Sequence, residues 1–346
     1  MAEILFLAFL IAVPGLMFFW GFRVLPHEEW QIMATVPVRK TQDGWRGVNL
    51  LWYGFFISTS MVFGMAVAYV LLRSLKVPVF SIMIAFASII VLCLPAAAIV
   101  ARIIEGKKHT FTVGGASFIG IILAPWIFLA IDSFEPIRFN VPVMAVLAAM
   151  SIGYAFGEGM GRLACISFGC CYGKPLKECS APVRKFFSRF HFVFHGDTKK
   201  IAYSQGLDGH RVVPVQAVTA IILSVTGITG TIIFLSGAFS LSFTLTVCTT
   251  QIWRILSEFL RADFRGHQRF SAYQAMAVIA AVSSFAVSVF LKSYPVPVDM
   301  SAGILSLWSP GVIIFFQAAW LASFLYTGRS TVTGSRIHFH VMKDRI

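Results

Sequence analysis

The chain has 346 residues, 58% of them hydrophobic and only 12% charged, with 34 Phe and a formal net charge of +13. Soluble domains carry about 25% charged residues, so this balance excludes a soluble globular protein and marks an integral membrane protein. No soluble domain is long enough to hold the surplus positive charge, which excludes nucleic-acid binding and assigns that charge to loops meeting anionic headgroups.

A membrane-spanning helix needs about 20 apolar residues. Nine segments meet that measure: roughly 4–25, 50–72, 79–103, 112–131, 141–161, 215–235, 243–260, 272–291 and 304–326. The opening "MAEILFLAFLIAVPGLMFFWGF" lacks a basic leader and a small-residue cleavage site, so it reads as a retained helix rather than a cleaved signal peptide. The stretch 174–213, containing "RKFFSRFHFVFHGDTKK", is polar, basic and aromatic and reads as a small head outside the bilayer. The tail "GRSTVTGSRIHFHVMKDRI" reads as a basic extension whose His338 and His340 alternate as a strand would, without a metal role. The fold class expected is all-α: a polytopic transmembrane bundle of about nine helices, with the head following the fifth.

Ionisable groups inside a span are costly and point to a cavity or a partner. In "GEGMGR", Glu158 and Arg162 lie four apart and share a helix face; Arg254 and Glu258 in "WRILSEFLRADFRG" repeat the spacing with the signs reversed. One reading is two self-neutralising pairs that let the bundle pack. The other, favoured by Arg261 and Arg265 just beyond, is a cationic pocket for a phosphate, which suits the planar guanidinium fork. Gly153, Gly157, Gly159 and Gly161 offer neighbouring helices a close approach. Gly169 and Gly173 bracket cysteines where the chain must turn sharply on leaving the membrane.

Of the six cysteines, Cys93 and Cys248 lie in apolar spans and read as small hydrophobes. Cys165, Cys170 and Cys171 admit three readings: structural residues without chemistry, a thiol nucleophile assisted by Arg162, or a redox or metal group that includes Cys179. The spacing C-x4-C-C-x7-C fits no standard zinc pattern, so no metal is expected. No nucleotide- or haem-binding pattern is present, and no cofactor is expected.

Five ordered landmarks resemble the prolipoprotein diacylglyceryl transferases of bacterial inner membranes, across roughly residues 50–291. They are "LWYGFFISTSMVFGMAVA", "GGASFIG", "GEGMGRLACISFGCCYGKP", "VPVQAV", and "RILSEFLRADFRG" followed by "SAYQ". The resemblance implies a seven-helix transferase core that includes the head at 174–213. Residues 1–49 then form an extra N-terminal helix and loop, and 292–346 an extra C-terminal helix and basic tail. It implies a multi-pass inner-membrane enzyme that takes a diacylglyceryl group from phosphatidylglycerol, or another anionic phospholipid. The acceptor is the lipobox cysteine at the signal peptide of a prolipoprotein, or another thiol.

Carried over by position, Arg162 binds the headgroup, Arg254 stabilises the leaving phosphate and Glu258 orients it. Tyr53, Gly120, Cys165, Gly169, Gly173, Gln216 and Arg261 line the substrate site. Fixed guanidinium groups at a developing phosphate charge lower the barrier, and a cationic site favours the acceptor thiolate. Four positions depart from the family pattern. Ile119 and Val213 stand where relatives have histidines, Cys165 stands for an Asn and Cys170 for a Glu. With the histidine base replaced, Glu158 is the nearby candidate base and Cys170 a candidate nucleophile.

Two rival readings follow. The hydrocarbon at Ile119 and Val213 favours a lipid-binding or lipid-moving protein without chemistry. Charge asymmetry favours a cytoplasm-facing lipid or thiol transferase: 22 Lys and Arg lie on the face bearing the head against four opposite. The positive-inside rule puts that face in the cytoplasm, whereas the resemblance puts it in the periplasm.

Overall fold

The computed structural model describes residues 1–105, 113–263 and 270–346. It is mostly helical, as expected, and its long helices fall on the expected spans: α1 (Ala2–Val24), α2 (Trp52–Ser74), α3 (Val79–Glu105), α4 (Val113–Ser133) and α5 (Val143–Phe168). The head follows α5 and holds α6 (Ala181–Phe187) and α7 (Lys200–Gln205), with the short strands β3 (Phe192–Val193) and β4 (Arg211–Val212) paired antiparallel. Then come α8 (Val215–Leu235), α9 (Phe239–Glu258) and α10 (Ala272–Phe290). The last expected span is broken into α11 (Met300–Leu305) and α12 (Pro310–Thr327), with Pro310 restarting the helix at its first position, where a missing N–H costs nothing. Among the described residues, eight helices are long and apolar enough to cross a membrane. α9 is of comparable length and carries Thr, Gln, Arg and Glu on its turns.

α5 is the axle of the bundle. More than three quarters of its spanning window is buried (78%), against α2, α8 and α9, whereas α3, α10 and α12 present apolar faces outward as lipid-facing helices do. In lipid no hydrophobic force drives helices together, so small residues and tight contact must. Gly64 of α2 and Gly153 of α5 meet so closely that a methyl group on either would strike the other's carbonyl oxygen. Gly157 and Gly161 continue that seam along Ser60, while Gly159 faces α8 at Ala220 and Ser224.

Strands β1 (Ile32–Thr41) and β2 (Gly44–Leu51) form a hairpin, and β5 (Arg329–Ile337) pairs with β2 to give the order β1-β2-β5. The loop expected at 23–49 and the expected basic extension are therefore two parts of one antiparallel sheet, with Trp45 opposite Ile337. His338 lies just beyond β5, so the strand alternation stops before the two histidines. Buried Gln31, ahead of the sheet, donates from Nε2 to the Thr198 carbonyl at 2.5 Å and accepts from Thr198 Oγ1 at 2.9 Å, tying the hairpin's base to the head.

Lys199 pins the head from within. Its fully buried Nζ donates to the carbonyls of Ser167 at 2.7 Å and Leu25 at 3.1 Å, at the ends of α5 and α1. Burial pushes its amine down from the ordinary 10.5 to about 8, against the pull of Glu28 and Glu29. The folded state therefore holds this proton less tightly than the unfolded chain, and its contribution to stability rises with pH between about 8 and 10.5. Thermal melts in detergent will show that rise, and Lys199→Met will remove it. Gly153→Leu will cost about 1–3 kcal/mol or more by forcing α2 from α5, lowering the melting temperature. Gly311→Leu, with open space around it, will leave that temperature unchanged.

Candidate functional site

The spacing that puts Glu158 and Arg162 on one face of α5 works as expected: Arg162 Nη2 donates to Glu158 Oε1 across one helical turn. The second expected pair is exchanged. Arg254 reaches from α9 across the interface, its Nη2 donating to both Glu158 oxygens at 2.7 Å and to the Tyr154 hydroxyl at 3.1 Å. Glu258 instead sits 3.9 Å from Arg261 Nη1 and accepts from Ser271 Oγ at 3.4 Å. α9 packs on α5, so the nearer carboxylate for Arg254 lies on the neighbouring helix, and the local i,i+4 rule gives way to the tertiary contact.

One carboxylate thus holds two guanidinium groups, leaving one net positive charge in a cluster whose side chains are 5–14% exposed. The Nε atoms of Arg162 and Arg254 are both buried and meet no acceptor among the described residues. A buried donor without a partner costs about 1–3 kcal/mol, so the arrangement favours an incoming anion. A narrow hollow between α5, α8 and α9 is lined by Glu158, Arg162, Arg254, Thr219, Thr250 and Arg261. Arg261 does not add free charge there, since Asp263 takes it in a two-pronged pair, Nε and Nη2 each at 2.7 Å. Arg265 lies outside the described residues.

Behind the arginines the chain ends α5 in a Schellman cap. Gly169 turns left-handed (φ 70°), its N–H donates to Ile166 O at 3.1 Å, and the Cys170 N–H donates to Cys165 O at 3.0 Å. Cys171 is also left-handed (φ 56°), a conformation few non-glycine residues adopt. Together these turns fold the three thiols together: the sulfurs of Cys165, Cys170 and Cys171 lie within 4.8 Å of one another. None of the three is joined in a disulfide, nor are Cys93, Cys179 and Cys248. Arg162 and Cys165, three apart on α5, share a face.

The next residues act as a strap. Lys174 N–H donates to Leu260 O at 2.9 Å, Ala262 N–H to Tyr172 O at 3.1 Å and Val213 N–H to Lys174 O at 3.0 Å. Gly173 runs so close to Val213 that no side chain would fit, and the strap fixes the end of α9, with Arg261, beside the cysteines. Buried Gln216 donates from Nε2 to the Cys170 carbonyl at 2.9 Å, holding the thiol segment. Tyr53, stacked at a tilt 5.5 Å from Phe168, is within electrostatic reach of all three thiols and of Arg162.

One expected position falls elsewhere. Gly120 faces α3, where a methyl group would lie 3.1 Å from Cys93 Sγ. Val213 is fully buried in an apolar cluster with Leu176, Phe187 and Val215, so packing fills that position. Three residues of the cluster escaped the sequence reading: Tyr154, Gln251, which donates to the Tyr154 hydroxyl at 3.4 Å, and Asp263. Tyr154 lies four before Glu158 and Gln251 three before Arg254, so polar residues one turn from an embedded charge were the signal available.

Replacing Glu158 by Gln leaves two buried guanidinium groups uncompensated and will cost about 3–5 kcal/mol. Adding Arg254→Gln will recover part of that loss. Detergent melts of the two single variants and the double variant measure the coupling, with Glu135→Gln, from an exposed pair, as the neutral reference.

The family model for prolipoprotein diacylglyceryl transferase matches residues 45–291. No curated protein matches the chain.

Proposed function

Because the chain belongs to the prolipoprotein diacylglyceryl transferase family, we propose that it transfers a diacylglyceryl group from phosphatidylglycerol to the cysteine thiol of a prolipoprotein. The observation that carries this reading is the convergence of Arg162 and Arg254, from separate helices, on one carboxylate, each with a buried Nε free of protein acceptors among the described residues. A lipid phosphate at the narrow hollow meets two forks that Glu158 already holds in place, and they stabilise its growing charge as the ester bond breaks.

Glu158 holds both forks in place. Both of its oxygens are engaged by guanidinium donors, so its part is to position Arg162 and Arg254 rather than to act as the base. Arg261, with Asp263 and Glu258, closes the outer end, and Tyr53 lies in the lipid cavity. The bacterial inner membrane is the location this substrate pair requires, with the head on the periplasmic face.

Two other readings each have an observation behind them. The hydrocarbon at Ile119 and Val213 fits a lipid carrier without chemistry, and the excess of Lys and Arg on the head side fits a cytoplasm-facing transferase. Labelling a cysteine introduced at exposed Ser188 of the head with an impermeant thiol reagent decides the face.

Purified protein given labelled phosphatidylglycerol and a lipobox peptide will form a thioether-linked product. Arg162→Ala and Arg254→Ala will each lower the rate about 10²–10³-fold. Unlabelled peptide alongside tight phosphatidylglycerol binding overturns the transferase reading in favour of the carrier.

A further inference from the structure

The three clustered thiols are not used by the phosphate chemistry above, and the fold has made them into something the sequence spacing concealed. Cys165 lies on the last turns of α5, and the Schellman cap and the left-handed Cys171 bring the other two sulfurs back over it. All three sulfurs fall within 4.8 Å of one another. Tetrahedral zinc with bonds of about 2.3 Å places its sulfur ligands roughly 3.8 Å apart, a closure of about an ångström at most from the arrangement present. Cys179 is not part of the group: its Sγ donates to the Pro175 carbonyl at 3.4 Å.

We propose that Cys165, Cys170 and Cys171 bind a thiophilic divalent cation, zinc, with a fourth position left for the thiol of the acceptor. Three soft sulfur donors and no carboxylate select zinc over magnesium or calcium. Three protein ligands plus an open position are the pattern of a catalytic rather than a structural zinc site. Cys165 and Cys170 are buried while Cys171 is half-buried, so the open side lies toward Cys171. Three thiolates around Zn²⁺ carry one net negative charge, and Arg162, Arg261 and Lys200 all lie within electrostatic reach of the group. Held by the Gln216 side chain at the Cys170 carbonyl and by the backbone bonds of the strap, the cluster's chain segment is preformed.

The role of the fourth position rests on the transferase reading. An acceptor thiol that binds zinc releases its proton to water and becomes a thiolate. Its sulfur then attacks the glycerol carbon that carries the phosphate gripped by Arg162. The carbon–sulfur bond forms as the carbon–oxygen bond breaks, and the electron pair leaves with glycerol phosphate. Arg162 and Cys165 share one face of α5 on adjacent turns, so nucleophile and leaving group meet there. Zinc thereby supplies the deprotonation that Ile119 and Val213 cannot.

The test is metal content. The full chain, purified in detergent without chelator, will carry about one zinc per chain. Cys165→Ser, Cys170→Ser and Cys171→Ser will each lower it at least about tenfold, and Cys179→Ser will retain it. Replacing zinc by cobalt will give a thiolate-to-cobalt charge-transfer band in the near ultraviolet and the visible bands of four-coordination, and a lipobox peptide thiol will shift the latter. Near-ultraviolet dichroism checks that the variants fold; if they do not, the native chain's zinc content and cobalt spectrum decide. Folded native protein with less than about a tenth of an equivalent of zinc, or with two of these cysteines joined as a disulfide, overturns the site. A cobalt spectrum indifferent to the peptide overturns the open position. A zinc-loaded chain that transfers no lipid sinks the transferase reading and spares the metal site, and a metal-free chain that transfers does the reverse.

Discussion

A single carboxylate buried between two guanidinium groups organises this molecule. Glu158 and Arg162 are fixed by helix geometry, but Arg254 arrives from another helix, so the ion cluster joins α5 to α9 as well as presenting charge. In a low-dielectric interior such a cluster is stable only if every member is paired, which holds the helices in register. The glycine seam along α2 and α5 serves the same end, because backbone contact leaves α5 little freedom to rotate its charged face away from α9.

From that constraint the rest of the site follows in sequence order. α5 runs nearly two turns past its arginine, ends in a glycine cap, and the cap delivers the cysteine segment to the same face. The strap from Tyr172 to Lys174 then joins the end of α9 to the head, and Lys199 hooks the head back onto the carbonyl ends of α5 and α1. Membrane core and head are therefore one mechanical unit at this end of the bundle.

Most of the helical frame was legible in the sequence because each span is an apolar run about as long as a bilayer requires, and length alone separates it from a buried strand. The Glu158–Arg162 pair was legible for a similarly local reason. What escaped depends on residues far apart. Arg254's partner is 96 positions away, and β2 finds its second neighbour across almost the whole chain. The three cysteines were legible as a group, with Cys179 as an added member; what escaped was how closely three of the sulfurs meet, since five-residue spacing across a helix cap belongs to no familiar ligand pattern. The glycine after Phe168 was the visible sign, and it acquires meaning only once the cap bonds are drawn.

The order β1-β2-β5 has a consequence for biogenesis. The hairpin is translated early, but its edge along β2 has no neighbour until the ribosome has released the residues after α12. Through all that time the hairpin offers an unpaired row of amides and carbonyls. Sheet closure is therefore a late step that registers delivery of the final helix, and a chain arrested before it would expose a sticky edge for quality-control proteases to recognise.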